Sequence, residues 1–398
     1  MIKNNKTHFL FKYAKITRAN SSAFLRILGA LFLVLIFSFL SIGFNTKNVY
    51  ADAQTSAKSM VVIDANTNRV LYSKNSSQKL PMASTTKIVT ALTVLNRCKN
   101  LDEEVLIDDR AVGIGGTSIY LKHGETMTVR ELLFGMMLPS GNDAATALAY
   151  FIGGNIPNFC EMMNLEAVKV GAYSSSFKNP HGLDEDGHYT TALDLAKITA
   201  KALENVTFKE IVTTKQTRIK GSSIGSYRYL KNKNRLLNTL DGCIGVKTGY
   251  TGKAGRCLVS ACERENFKTV CVVLNCSPMF EESFDLLNLA YSEYKMCEIL
   301  PEYFIVRSLP VENGKKNEVK VCSKKGFYYP IKNNEESLIT FNYVLPNVLY
   351  APINEDQIVG EVEVYLDNCL IFKEKIYTIS NVKRIGVISS IKDILSNW

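Results

Sequence analysis

The sequence predicts an α/β domain, in which an antiparallel sheet is flanked by helices and joined to a helical lobe, followed by a small all-β domain. Three observations carry this. Strand-like runs stand at both ends of the first 300 residues, helical periodicity fills the middle, and the texture after Leu300 turns to short β-rich segments.

Ahead of the first strand, Lys3, Lys6, Lys12, Lys15, Arg18 and Arg26 precede an apolar run from Ile27 to Phe44, with small-residue cleavage sites near Ala51. This reads as a signal peptide over 1–51, with an uncleaved signal anchor as its alternative. Either reading exports the remainder.

The run "SMVVIDANTNRVLYS" then reads as strand, polar turn and strand. "LPMASTTKIVTALTVL" follows, with Pro81 in a first turn and Ile88, Val89, Ala91, Leu92 and Leu95 at helical spacing. "TVRELLFGMML", "GNDAATALAYFIG" and "TALDLAKITAKALEN" are further helices, the first two separated by Pro139-Ser140-Gly141. Strands return at "GCIGVKTGYT", "GRCLVSACE" and "KTVCVVLNC", and "FEESFDLLNLAYSEYK" closes the 52–300 domain. Residues 301–380 supply the β domain, and 381–398, with Ile385, Ile388, Leu395 and Trp398 near helical spacing, read as an amphipathic, basic helix that suits either a membrane surface or packing on the β domain.

Charge narrows the function. The formal +9 arises from 47 bases and 38 acids, yet seven bases and no acid precede Asp52, leaving 40 against 38. That near-neutral balance gives no footprint for nucleic acid. The ten cysteines show no framework spacing and no Cys-x-x-Cys, and with four histidines no metal or other cofactor is expected. His181 and His188 are read as structural. A hairpin turning at Tyr250 would set Cys243 opposite Cys257, within reach of a cross-strand disulfide unless the environment keeps both reduced.

The chemistry-bearing residues form three short motifs. Ser84 and Lys87 stand three apart at a helix start, so they share a face, and a neutral amine there can take the serine proton. Ser140 and Asn142 sit in "LPSGNDA" at a tight turn, offering a hydroxyl and an amide. Lys247, Thr248, Gly249 and Tyr250 belong to "GVKTGYT", a cation and a hydroxyl followed by a glycine that permits close backbone approach. Each motif is cheap alone: Ser76 with Lys79, Ser175 with Lys178 and Ser292 with Lys295 repeat the first, and Ser73-Lys74-Asn75 repeats the second. Their order and their contexts on helix, loop and strand are what is specific.

That ordered set is shared by penicillin-binding proteins and class A β-lactamases. Together with "GTSIYLKHGE", "VRELLFGMMLPSGNDAATALA", "NPHGLDEDGHYTTALDLA" and "GVKTGYTGKAGRCLVSA", it makes Ser56 to Tyr294 resemble the serine-type D-alanyl-D-alanine carboxypeptidases of peptidase family S11. The resemblance implies a β-lactamase/DD-peptidase type catalytic fold and a substrate that is the peptidoglycan stem peptide ending in D-Ala-D-Ala, with β-lactams as inhibitors. By position it makes Ser84 the acylated nucleophile, Lys87 its base, Ser140 and Asn142 relay and carbonyl contact, Lys247 and Thr248 the carboxylate grip, and the N–H groups of Ser84 and Tyr250 the oxyanion hole. It also implies work at the outer face of the cell membrane or in the wall. One departure stands out: where many relatives place an Arg after the strand matching "CVVLNC", this chain has "SPMFEESF". That absence places more of the electrostatic grip on Lys247, with Arg235, distant in sequence, as the next basic residue to test. A lactamase would need a deacylating acid such as Glu161 or Glu166, and a silent wall-binding protein would have lost a motif residue. An endopeptidase acting on cross-links is a variant of the same chemistry.

Overall fold

The computed structural model describes residues 54–223 and 225–386. Two strands, β1 (Ser59–Asp64) and β2 (Val70–Lys74), form the opening hairpin. A 3-10 turn, Ala83–Thr86, leads into α1 (Lys87–Arg97), and a small ladder follows from β3 (Glu104–Leu106) and β4 (Thr126–Thr128). The helical layer continues with α2 (Val129–Met137), α3 (Asn142–Gly153), α4 (Ile156–Lys169), α5 (Ala192–Ala202) and α6 (Val206–Thr213). Next come the hairpin β5 (Gln216–Lys220) and β6 (Tyr227–Lys231), the short α7 (Leu236–Thr239), and β7 (Cys243–Thr251), β8 (Gly255–Arg264) and β9 (Phe267–Leu274). Helix α8 (Met279–Glu293) closes this part.

The central sheet has the order β2-β1-β9-β8-β7 and is antiparallel throughout. Its strands read as continuous apolar runs because both faces are covered. Val61 and Ile63 of β1 face the helical lobe, packing in one core with Ile88, Leu132 and Leu195. Met60 and Val62 point the other way, into a second core with Leu286, Leu287 and Ala290 of α8. The period of two thus divides one strand between two cores.

Helix starts follow local chemistry. Thr128 and Glu131 form a reciprocal capping box at α2, Thr191 accepts the Asp194 N–H at α5, and Gly154, at φ 71°, ends α3 in the left-handed conformation. Pro81 falls ahead of the first turn, which is 3-10 and begins at Ala83, so the helix proper starts only at Lys87.

The register overturns the Cys243–Cys257 pairing. The β7–β8 turn is centred near Lys253, with Tyr250 opposite Arg256, so Cys243 faces Cys262 and Cys257 faces Gly249. All ten cysteines are free.

The β-rich remainder begins on β10 (Tyr294–Leu300), which follows α8 directly and pairs with β13 (Phe327–Lys332). Six further strands, β11 (Ile305–Glu312), β12 (Glu318–Ser323), β14 (Ile339–Val344), β15 (Leu349–Tyr350), β16 (Ile358–Leu366) and β17 (Cys369–Thr378), form a sheet in the order β14-β16-β17-β12-β11-β15. Leu309, Val321, Phe327, Val362 and Ile376 fill its core. Arg69, in the β1–β2 hairpin, ties the two parts by donating to Glu335 at 2.6 Å and stacking over Tyr294 and Tyr329. Val382 and Arg384 form bridges to Ile353 and Gly314, so the helix expected from residue 381 does not begin there: strand-like pairing holds the chain to the β domain, and residues 387–398 lie outside the described residues. No helix among the described residues is long and apolar enough to cross a membrane.

Candidate active site

Ser84 sits in the 3-10 turn at the head of α1, and Lys87 opens the helix, so three residues of chain bring Lys87 Nζ to 3.0 Å from Ser84 Oγ. Lys87 is fully buried. Its Nζ donates to Asn142 Oδ1 at 2.6 Å and to the His181 carbonyl at 2.7 Å. The Asn142 amide is oriented by its own Nδ2, which donates to Gly115 O at 2.6 Å, so its oxygen must face the lysine. Two obligate acceptors therefore use two N–H bonds, and the remaining position on nitrogen faces a hydroxyl. A neutral amine satisfies all three contacts, with its lone pair toward Ser84 Oγ–H. Burial pushes Lys87 well below the usual lysine range, and the charges of Lys247 and Lys233 push in the same direction.

Asp143, the neighbour of Asn142, went unread in the sequence. It is fully buried and accepts the N–H groups of Ile119 and Leu121 at 3.0 Å and the Ser118 hydroxyl at 2.5 Å. These bonds hold the 115–121 loop against the start of α3, while Thr117 O accepts the Asn142 N–H at 2.7 Å. An acid in the first turn of a helix was the available signal, and it suggests a cap more readily than a loop anchor.

Ser140 adopts φ 77°, unusual for serine, and its buried Oγ has no hydrogen-bond partner among the described residues. Gly249 explains how β7 reaches the nucleophile. A Cβ there would lie 2.9 Å from Met82 O and 3.1 Å from Ser84 N, so the glycine permits approach to the Ser84 turn itself. Gly182, at φ 91°, would collide with the Ala83 carbonyl if it carried a side chain, and so closes the same turn from the other side.

His181 and His188 are held neutral. Burial lowers His181 to about 3 and His188 to about 4. His188 Nδ1 accepts the Lys178 N–H at 3.0 Å, so Nε2 carries the proton toward Thr86 Oγ1 at 2.9 Å, and that hydroxyl donates to Ala83 O. This chain supports the Ser84 turn from behind.

Ser84, Ser140, Thr248, Gly249 and Tyr250 line one cleft of about 730 Å³, which also takes in Thr117, Lys231, Asn232, Lys233, Arg235, Arg256, Met279 and Phe280. Lys247 is absent from that lining and only 2 % exposed. Its burial, with the Lys233 charge, lowers it to about 7. Lys247 was expected as the main cation near the carboxylate, with Arg235 next; Arg235, stacked over Phe280 at 5.4 Å, and Arg256 stand exposed in the lining. Arg256 belongs to no motif, and a lone arginine gives no sequence signal. Glu166, by contrast, is tied to Asn96 at 2.9 Å and Lys169 at 2.8 Å where α1 and α4 meet, and Glu161 is exposed on α4. Neither acid lines the cleft.

A helical lobe packed on a five-stranded antiparallel sheet, with a serine–lysine pair, an asparagine and a Lys-Thr-Gly strand meeting between them, defines the class of penicillin-binding DD-peptidases. The chain belongs to the D-alanyl-D-alanine carboxypeptidase family, peptidase S11, whose model matches residues 45–277. A second model, that of the penicillin-binding protein 5 C-terminal domain, matches residues 294–384. The chain is 31% identical over 350 residues to D-alanyl-D-alanine carboxypeptidase DacF of Bacillus subtilis (strain 168), covering 86% of this chain and 90% of that one. It is 29% identical to DacC of Escherichia coli (strain K12), covering 90% and 92%. Among solved structures, penicillin binding protein 5 from Haemophilus influenzae superposes with a TM-score of 0.72 at 28% identity, over 83% of this chain and 99% of that one. The family reading of the sequence holds, and neither a lactamase nor a silent binding protein is favoured.

Proposed function

We propose that the protein removes the terminal D-alanine from peptidoglycan stem pentapeptides through an acyl-enzyme on Ser84. The observation that carries this reading is the buried Lys87, which is 3.0 Å from Ser84 Oγ and bonded on its other sides only to acceptors. The neutral amine takes the proton as Ser84 Oγ attacks the carbonyl of the penultimate residue. The backbone N–H groups of Ser84 and Tyr250 receive the oxyanion, which forms where Gly249 lets the two segments meet. Asn142 orients the lysine and the substrate carbonyl, and Ser140, with its unpartnered Oγ, passes the proton to the departing D-alanine nitrogen. Lys247 and Thr248 hold the terminal carboxylate. Water then cleaves the ester and restores Ser84. β-Lactams acylate the same hydroxyl.

The test is Ser84→Ala, which removes one oxygen. Labelling by a fluorescent penicillin and D-alanine release are both expected to vanish while the fold persists, and persistent labelling would sink the assignment. Export rests on the basic and apolar N-terminus, and membrane-surface attachment on the segment after Gly386. Truncation there spares the bridges at Val382 and Arg384 and is expected to make the enzyme easier to wash from membranes with salt. Unchanged association would refute that attachment.

A further inference from the structure

Beside the acylation cleft lies a second cavity, of about 310 Å³, at the open end of the β5–β6 hairpin. Its walls include Lys215, Gln216, Lys231, Asn232, Asn234 and Asn238, with no acid among them. Neither lysine has an ion pair among the described residues. The frame of the cavity is rigid. Asn232 donates to Val212 O at 3.2 Å and Thr214 O at 3.1 Å, and its oxygen accepts the Asn234 N–H at 3.0 Å. Asn234 repeats the device one step on, accepting the Leu236 N–H at 3.1 Å, which fixes its oxygen toward α7. Its Nδ2 is left buried and without a partner. A buried donor of this kind is normally satisfied, and here the adjoining cavity is lined by cations and amides. Such a set suits an anionic oxygen group, since ammonium and amide donors both favour it. Lys231 and Asn232 line both cavities, so whatever fills the second is contiguous with what fills the first.

We infer that this cavity is an anion-holding subsite for a carboxylate of the peptide substrate remote from the bond that is cut. The inference rests on the acyl-transfer reading given above and adds to it a preference among D-Ala-D-Ala peptides. A substrate whose other carboxylates are free is held by Lys215, Lys231 and the Asn234 amide, whereas one whose carboxylates are amidated is not.

The experiment compares, on the full-length enzyme, two peptides ending in D-Ala-D-Ala that differ only in whether the upstream carboxylates are free or amidated. Wild type is expected to show a kcat/KM about tenfold higher for the free acid, the scale of one charge-assisted hydrogen bond. Lys215→Gln and Asn234→Asp should each erase that preference. The second retains the oxygen that caps Leu236 N–H while putting negative charge into the cavity. Acylation by a small penicillin reports folding and is expected to stay within about twofold of wild type in Lys215→Gln, because Lys215 does not line the acylation cleft. Equal kcat/KM for the two peptides on wild type, or a preference that survives both substitutions, overturns the subsite. Failure of penicillin to acylate wild type would instead overturn the acyl-transfer reading. Inorganic phosphate separates a substrate carboxylate from a free anion. Phosphate that slows only the free-acid peptide supports the subsite. Thermal stabilisation by phosphate that Lys215→Gln abolishes, without any effect of amidation, identifies a free-anion site and overturns the substrate assignment.

Discussion

The two walls of the cleft are built on opposite principles. On the helical side, Lys87 is closed off from water and every hydrogen-bonding position on its nitrogen is occupied. On the strand side, Lys233, Arg235 and Arg256 stand in the lining with no ion pair among the described residues. Burial makes the first wall reactive, because desolvation strips the ammonium of its preference for charge. Exposure makes the second wall attractive, because several like charges lining one cleft draw an anionic substrate toward it. Lys247 is buried like Lys87, and burial lowers it to about 7.

The harshest way to break the contrast is to disturb the helical wall. Lys87→Ala is expected to lower the acylation rate by a penicillin about a hundredfold to ten-thousandfold, the usual range for a positioned base. Retained rate in a stopped-flow label assay would remove the lysine from the mechanism.

Lys247→Gln should cost the peptidase kcat/KM roughly tenfold to a hundredfold, the worth of a charged hydrogen bond to a partly desolvated carboxylate. Amidating the substrate's terminal carboxyl should cost wild type a similar factor and this variant little. The pH profile sharpens the point. Because Lys247 titrates near 7 in the free enzyme, it is cationic below that pH and neutral above it, so kcat/KM should fall as pH rises through about 7. Lys87, lowered below the usual lysine range, acts in the opposite sense, since protonation at low pH removes the base. In Lys247→Gln the limb near 7 should disappear, and if it persists another group sets it.

Arg235→Gln and Arg256→Gln are expected to lower kcat/KM by about two- to fivefold each, as exposed charges do, with a loss that shrinks at high salt. A loss as large as that of Lys247→Gln would move the carboxylate grip to the arginines. Glu166→Gln should change catalysis least of all. Its bonds to Asn96 and Lys169 lie where α1 meets α4, so the expected cost is about 1 to 3 kcal/mol of stability with the penicillin adduct lifetime unchanged. A longer-lived adduct would give this acid a part in deacylation.

Much of this was legible in the sequence because it is local. The separation of three between Ser84 and Lys87 puts them on one helical face whatever surrounds them, and the short apolar run in "SMVVID", bounded by a polar turn, reads as a strand without its partners. The order of the three motifs was equally plain, and with it the family. Tertiary structure decided what depends on distant segments meeting. The lowering of Lys87 needs the segments around Asn142 and His181, 55 and 94 residues away, to close over it, because only a closed surround removes water from the ammonium. The β7–β8 turn near Lys253 was misplaced at Tyr250 because a period of two is the same for hairpin centres a whole residue apart, and only the pairing of β7 with β8 itself shows which one is used. Arg235 and Arg256 carry no motif, and they share one cleft only because β8 and the segment before α7 converge beside Phe280. Charge at a site is a sum over space, and chain order does not contain it.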